Sequence, residues 1–497
     1  MHGSIGMEWK SDMQIRAKIP LRDYQKEDFE FFVDKPAGLI GWGMSLGKSA
    51  LAIALAVNRN HRRVLIACPD SVIGVWPHQF ATHAAEEYTV IPIRKGTVAA
   101  KQVEAAHALA MGERYNRRVA VVISHESLWR EPFGPWALKA GFDYVIIDES
   151  HRGHAAGGKY SRYLYNLGQA VPYKVCLSGT PLPHGPLSCF SQFRFLDPSV
   201  FGRYWTHFVR QYAVTQTVNK RAGGTFPRVI DNPDEPGLTR YQQGFLRESQ
   251  AKLREKFFSL AVVRTKADML TLPAEVDMER TCALSLRAMS IYTKMKRDLY
   301  VELDKGEVTA TNVLTKLLRL QQISSGFIRT DSGHVETLGT HKADLLLDVL
   351  QDLQEPVVVF AWFTEELKAI QRVTEQLGKR YGEVSGARKD LTDRSTMPDD
   401  IDVLGVQYQS GSVGVDLTRA AVDIAYSPTY SLTNFDQSRS RVHRVGQTRS
   451  VTHIRLVAEH TMDEVVYAAL HARREVTDAI LSLRKERHHE ALVATPA

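Results

Sequence analysis

Cysteine is scarce in this chain. There are four in 497 residues (Cys68, Cys176, Cys189 and Cys282), with no CxxC pair and no Cys/His set at metal spacing. A disulfide scaffold or a zinc module is therefore not expected, and a reduced, cytoplasmic protein without structural metal is. Long apolar runs are missing too. Stretches such as Val357–Phe363 are strand-length, far short of the ~20 residues a membrane helix needs, so no membrane partner is expected. The opening MHGSIGMEWKSDMQIR contains no apolar segment of the secretory kind. Tandem repeats and low-complexity tracts are absent. What is present is ordinary: 44% hydrophobic and 24% charged residues, the balance of a globular protein. The length leaves room for two or three separate cores. A net charge of +7 leans toward a polyanionic partner without deciding for one.

Short apolar runs alternate with helix-forming segments. Val64–Cys68, Val119–Ile123, Tyr144–Ile147 and Val175–Leu177 form one set, and Val357–Phe360, Val403–Val406, Val422–Ala425 and Ile454–Val457 a second. Strands spaced by helices predict parallel sheets covered on both faces. The fold class expected is α/β, with two RecA-like parallel-sheet lobes, a helical insertion between them and a C-terminal helical brace. The boundaries are a first lobe over 1–187, a mostly helical insertion and linker over 188–341, a second lobe over 342–460, and a helix with a basic tail over 461–497. The insertion is read from charged, helix-forming stretches such as YQQGFLRESQAKLREKFFSL, interrupted by a Gly/Pro-rich loop at 216–237.

Residues 41–49 read GWGMSLGKS between a strand-like and a helix-forming segment. Backbone N–H groups at such a helix N-terminus suit phosphate. Lys48 would reach the β- and γ-phosphates of a nucleotide and the Ser49 hydroxyl would ligate Mg²⁺. The strict GxxxxGK[ST] spacing asks for glycine where Trp42 stands. Downstream, the apolar run Tyr144–Ile147 ends in Asp148-Glu149-Ser150-His151. This puts two carboxylates at the strand edge where open α/β sheets bind ligands. Asp148 would hold the Mg²⁺ and Glu149 would orient and deprotonate a water. His151 would link this site to Ser178-Gly179-Thr180-Pro181, where another strand ends. Arg441 and Arg444, three residues apart, would share one helix face and neutralise charge on a γ-phosphoryl group. Read alone, the pair is better taken as a solvated basic face or a nucleic-acid patch.

Taken together, these segments resemble the Swi/Snf-related branch of the superfamily-two helicases and translocases. LRDYQ (21–25) resembles its Q motif, IACPDSVIGVWPHQF (66–80) motif Ia, VVISHESL (121–128) motif Ib, and DESH motif II. LSGTPLPHGPLSCFSQFRFLDPSVFG (177–202) resembles motif III with its trailing segment, and VVRTKADMLTLP (262–273) the R-x-K-x-D…LP element. LLRLQQISSG (317–326) resembles the helical core segment, VVVFAWFTEEL (357–367) motif IV, SGSVGVDLT (410–418) motif V and QSRSRVHRVGQTRSV (437–451) motif VI. The order is the family's own, and DESH with SGTP leans toward the branch that includes annealing helicases.

The resemblance implies an ATP site built from Arg22, Gln25, Met44, Ser45, Leu46, Gly47, Lys48 and Ser49, with Gly414, Asp416 and Gln437 from the second lobe. It implies Lys48, Asp148, Glu149, Arg441 and Arg444 as the catalytic set, with His151, Ser178 and Thr180 as coupling residues. ATP and Mg²⁺ are the implied cofactors. DNA, duplex by preference and without sequence specificity, is the implied partner of a monomer. Trp76, Ser124, His125, Gly411 and Ser412 fall in motifs that line the nucleic-acid backbone in relatives, although core packing explains Trp76 equally well.

Some positions depart from the pattern. Trp42 and Gly43 replace the usual acidic pair, Ser45 a glycine, Asp416 an asparagine and Ser440 an aspartate. The Trp42 indole would lie over the nucleotide or against the second lobe. Rival expectations are a strand-separating or annealing helicase at forks, and a nucleic-acid-binding scaffold that no longer hydrolyses ATP.

Overall fold

The computed structural model describes residues 15–482 except 45, 154, 184, 220–224, 266–268, 270–271, 299, 304–305, 310–312, 392–395, 410–414 and 445. The chain divides into two compact units: one runs to Leu182 and continues over Pro186–Arg264, and the other holds Pro183–Gly185 and everything from Thr265. Among the described residues no helix is long and apolar enough to cross a membrane.

The first unit is a parallel sheet of β1 (Ala37–Trp42), β2 (Arg63–Cys68), β3 (Tyr88–Ile93), β4 (Arg118–Ser124), β5 (Tyr144–Ile147), β6 (Tyr173–Leu177) and, after the hairpin of β7 (Val214–Asn219) and β8 (Thr225–Ile230), β9 (Ala261–Arg264). Its order is β3-β4-β2-β5-β6-β1-β9. Strands β1 and β5 are buried at every position, because helices cover both faces and leave no side for polar residues. Helix α1 (Asp23–Val33) packs against α2 (Lys48–Asn58). Helix α2 is buried at eight consecutive positions, Ala50–Val57. Its alternation of alanine with Leu, Ile and Val makes it apolar all round, as a core helix must be. A satellite core of aromatic rings, with Phe193 against Phe201 and Phe257 and Phe208 against Phe190 and Tyr212, joins the helices that follow β6.

The second unit is also parallel. Its strands are β10 (Glu275–Cys282), β15 (Val357–Ala361), β16 (Tyr381–Val384), β17 (Val403–Gln407), β18 (Val422–Ala425) and β19 (Val451–Ala458), in the order β10-β19-β18-β15-β17-β16. Two small hairpins, β11 (Tyr300–Leu303) with β12 (Gly306–Thr309) and β13 (Phe327–Arg329) with β14 (Val335–Thr337), lie between β10 and β15. One core gathers Leu346, Val359 and Ile370, another Phe360, Leu404 and Val442. The helix Met462–Ser482 braces this unit through Val466, Tyr467 and Leu470, packed on Leu432, Phe435 and Val457.

The stretch 188–341 does not form one helical body. Its residues to Arg264 belong to the first unit, whose sheet β9 extends, and those from Thr265 to the second, whose sheet β10 opens. β10 pairs with β19 over all eight of its residues, Glu275↔Val451 to Cys282↔Ala458. Its charged residues are tolerated because an edge strand keeps one side wet, and that same polarity hid it in the sequence.

Candidate active site

In the order β5-β6-β1, three adjacent strands end beside one another, which brings the phosphate loop, Asp148-Glu149 and Ser178–Thr180 to one edge. Gly47 enters α2 with φ +87°, and a Cβ there would come 2.5 Å from Gln25 Nε2, so only glycine fits. Gln25 Nε2 and the Tyr24 hydroxyl donate to the Leu46 carbonyl at 2.9 and 2.8 Å, and the Arg22 N–H donates to Gln25 Oε1 at 2.9 Å. The Q-motif glutamine therefore holds the loop in shape. Lys48 Nζ donates to the carbonyls of Trp42 at 2.9 Å and Gly43 at 3.3 Å. Burial lowers its affinity for a proton, opposed by Glu149 and Asp148. A cation held by two neutral carbonyls can turn to a phosphate without breaking an ion pair. Met44 and Ser49 are half-buried around it, whereas Ser45 lies outside the described residues.

Asp148 is pushed up to about 7, first by burial and then by the Glu149 charge, with Lys48 pulling the other way. Two adjacent carboxylates at a recessed edge call for a cation. Asp148 and Ser49 would supply two protein oxygens to such a cation. That fits Mg²⁺, which takes one or two protein ligands and fills its shell from phosphates and water. Glu149 sits at φ +48°, a left-handed backbone that a non-glycine residue adopts under constraint. His151 Nδ1 lies 3.3 Å from Glu149 Oε2 and 2.9 Å from Ser178 Oγ, which accepts from the Thr180 N–H at 3.1 Å. The expected link from DESH to SGTP is thus a chain of contacts.

A second link was not legible. Gln192, almost fully buried, accepts from the Ser150 hydroxyl at 2.7 Å and donates to the Pro181 carbonyl at 2.8 Å. Its only sequence signal is its place in the segment trailing SGTP.

Other expectations need correction. Trp42 is fully buried at the end of β1 and meets Tyr24 edge-on at 5.5 Å. Trp76, Ser124 and His125 are buried at 2–4% exposure, so their side chains face the interior and not a ligand. Trp76 packs on Phe80, the Ser124 hydroxyl caps the turn at Ser127, and His125 Nδ1 pairs with the Tyr160 hydroxyl at 2.6 Å. Gly411, Ser412 and Gly414 lie outside the described residues. A basic groove of about 510 Å³, unforeseen from sequence, lies on this unit, lined by Trp129, Arg130, Glu131, Lys159, Arg162 and Tyr163. No ion pair among the described residues engages its three cations.

In the second unit Asp416 accepts from the Thr418 N–H and hydroxyl at 3.0 and 2.8 Å. Gln437 and Arg441 lie on the helix Leu432–Val442, capped by the Ser431 hydroxyl. Arg444 does not share that helix face. The helix stops at Val442, because His443 is drawn out of it: Nε2 meets the Pro273 carbonyl at 2.9 Å and Nδ1 meets Glu275 Oε1 at 2.5 Å. Arg444 follows in a bend, its Nε buried without a hydrogen-bond partner. Arg439, passed over in the sequence, is tied to Asp277 and Glu275.

A glycine-rich loop after β1 and a carboxylate pair after β5 at one edge of a parallel sheet, followed by a second parallel-sheet unit with an arginine-bearing helix, fit a helicase-like ATPase. The chain belongs to the SNF2-related family: the SNF2-related domain matches residues 7–326 and the helicase conserved C-terminal domain residues 341–446. It is similar to the zebrafish (Danio rerio) "Chromodomain-helicase-DNA-binding protein 1-like", 26% identical over 93% of this chain and 44% of that protein. It is 24% identical to the Caenorhabditis elegans homologue of "SWI/SNF-related matrix-associated actin-dependent regulator of chromatin subfamily A-like protein 1", over 91% and 61%. To the Bos taurus "DNA annealing helicase and endonuclease ZRANB3" it is 23% identical, over 95% and 41%. The chain thus spans 41–61% of these relatives' length. The solved "Sulfolobus solfataricus SWI2/SNF2 ATPase core in complex with dsDNA" aligns over 95% of both chains, with TM-score 0.42 and 19% identity.

Proposed function

We propose that this chain is a DNA-dependent ATPase that couples hydrolysis to movement along duplex DNA without separating its strands. The observation that supports this reading most is that Lys48, after β1, and Asp148 and Glu149, after β5, lie at the same edge of one parallel sheet on either side of β6, with Glu149 beside a His151 already hydrogen-bonded to Ser178. Lys48 would bind the terminal phosphates, and Asp148 with Ser49 would hold Mg²⁺, which neutralises phosphate charge when bound. Glu149 would take the proton of the attacking water. The Glu149–His151–Ser178–Thr180 chain gives that carboxylate a path to the end of β6. Arg441 and Arg444, on the other unit, would complete the site only when the units close on ATP. The groove at Arg130, Lys159 and Arg162 favours a phosphate-rich partner read by charge and not by base.

Steady-state ATP hydrolysis should rise on adding duplex DNA, and less with single-stranded DNA or RNA. Glu149→Gln should bind ATP yet fail to turn it over. Translocation should displace a third strand from a triplex without unwinding the duplex beneath. Hydrolysis indifferent to every nucleic acid would remove the motor reading, and ATP-dependent unwinding or annealing of forked DNA would replace it with the annealing-helicase one.

A further inference from the structure

Arg264 is the last residue of the first unit and Thr265 the first of the long segment of the second. Both faces of Arg264 touch the phosphate loop's supports. Through its backbone, β9 pairs with β1 in the register Trp42↔Arg264, and the Arg264 carbonyl accepts from the Gly43 N–H at 2.8 Å. Trp42 and Gly43 are the residues whose carbonyls hold Lys48. Through its side chain, Nε donates to Asp28 Oδ2 at 2.7 Å, and Nη2 to Asp28 Oδ1 and to Glu27 Oε2 on α1. The guanidinium lies 5.8 Å from the Tyr24 ring centroid. Tyr24 meets Trp42 edge-on and donates to the Leu46 carbonyl at the far end of the loop.

One residue at the exit of the first unit therefore grips the loop's start by its main chain and the loop's end by way of α1. A forked arginine pair with a buried carboxylate is stiff, and Asp28 is 1% exposed. A pull on the chain beyond Arg264 would therefore act through β9 on the two carbonyls that hold Lys48 and through α1 on the Leu46 carbonyl.

We infer that Arg264 is a positioning residue that couples displacement of the second unit to the phosphate loop, an inference that rests on the ATP-hydrolysis reading above. Binding of a nucleotide, which draws Lys48 away from the Trp42 and Gly43 carbonyls, then biases β9, and a bias on β9 returns to the nucleotide by the same linkage.

The test is the ratio of ATP turnover with saturating duplex DNA to turnover without it, in wild type, Arg264→Met and Arg264→Lys. Both rates come from one preparation, so loss of folded protein cancels. Arg264→Met should lower the ratio by about ten-fold, within the usual range of coupling between sites. Arg264→Lys, which keeps the charge but not the fork, should lie between that and wild type. Ratios equal to wild type in both variants overturn the inference, even if both melt at lower temperature. Should Arg264→Met yield no active protein, the Arg264→Lys ratio decides alone, and an unchanged value overturns it. A wild-type ratio of one is a different failure, that of the DNA-dependent ATPase reading itself.

Discussion

Two buried histidines of the first unit, His61 and His125, and one of the second, His453, are shifted in opposite directions. In the first, burial pushes His61 down to about 4 and His125 down to about 3, so both rings are neutral in the fold. His61 is stacked on Tyr144 at 4.8 Å, and His125 meets the Tyr160 hydroxyl. In the second, burial pulls the same way on His453, but Asp423 at 2.5 Å and Glu275 at 3.2 Å overcome it and raise the ring above its ordinary value. Glu275, bonded first to His453 and then to Arg439, is held well below the usual carboxylate range. The difference separates two ways of handling buried charge. At the edge of the first unit Lys48 rests on neutral carbonyls. The second unit satisfies its buried charge internally: Arg439 is committed to Glu275 and Asp277 and fixes the helix that carries Arg441.

The largest expected effect falls on the first side of that comparison. Lys48→Ala should reduce kcat by ~10²–10³-fold, the scale for losing one charge-stabilising donor, while DNA binding without nucleotide persists. Parallel ATPase and DNA-binding titrations check it, and turnover within a few-fold of wild type would remove the phosphate-loop assignment. On the second side, Asp423→Ala strips His453 of its closer partner. Breaking a buried pair from one end should destabilise this unit by about 3 kcal/mol, read from denaturant unfolding and from hydrogen exchange in β18 and β19.

The smallest effect separates the units by pH. A histidine whose folded pKa is depressed makes the unfolded chain bind more protons, so stability falls as pH drops below 6.5 toward 4 for His61 and toward 3 for His125. His453, raised, does the reverse: its contribution is complete below 6.5 and is lost as pH rises through its folded value. Each histidine contributes up to about 1.4 kcal/mol per pH unit within its window. Exchange protection, corrected for intrinsic rates, should therefore weaken in β5 on acidification to pH 5.5 and in β18 on going above neutrality. Parallel changes in both sheets would break the contrast.

How much of this was legible followed from how local each signal was. The phosphate loop, DESH and SGTP were readable because each is a short apolar strand followed at once by its chemistry, and strand ends of a parallel sheet converge. The Gln192 link was not, because it joins Ser150 to Pro181 through a helix whose sequence reads only as core. The place of Trp42 was left open by the sequence, because it borders a glycine-rich loop, and β1 runs on through it. The end of the arginine helix at Val442 depends on Pro273 and Glu275, about 170 residues earlier in sequence, and no helix rule contains that. Burial of Trp76, Ser124 and His125 is likewise a tertiary fact that motif position does not carry.

The reading proposed above has phosphate held in the first unit acted on by arginines of the second. Its most direct test is kcat of Arg444→Ala against wild type at saturating ATP and duplex DNA, with nucleotide affinity measured alongside. Among the described residues the buried Nε of Arg444 has no hydrogen-bond partner and, unlike Arg439, Arg444 has no ion pair to lose. A fall of ~10²-fold or more in kcat with nucleotide affinity nearly unchanged is the expected result for a donor that acts in the transition state. A kcat within a few-fold of wild type would contradict the claim.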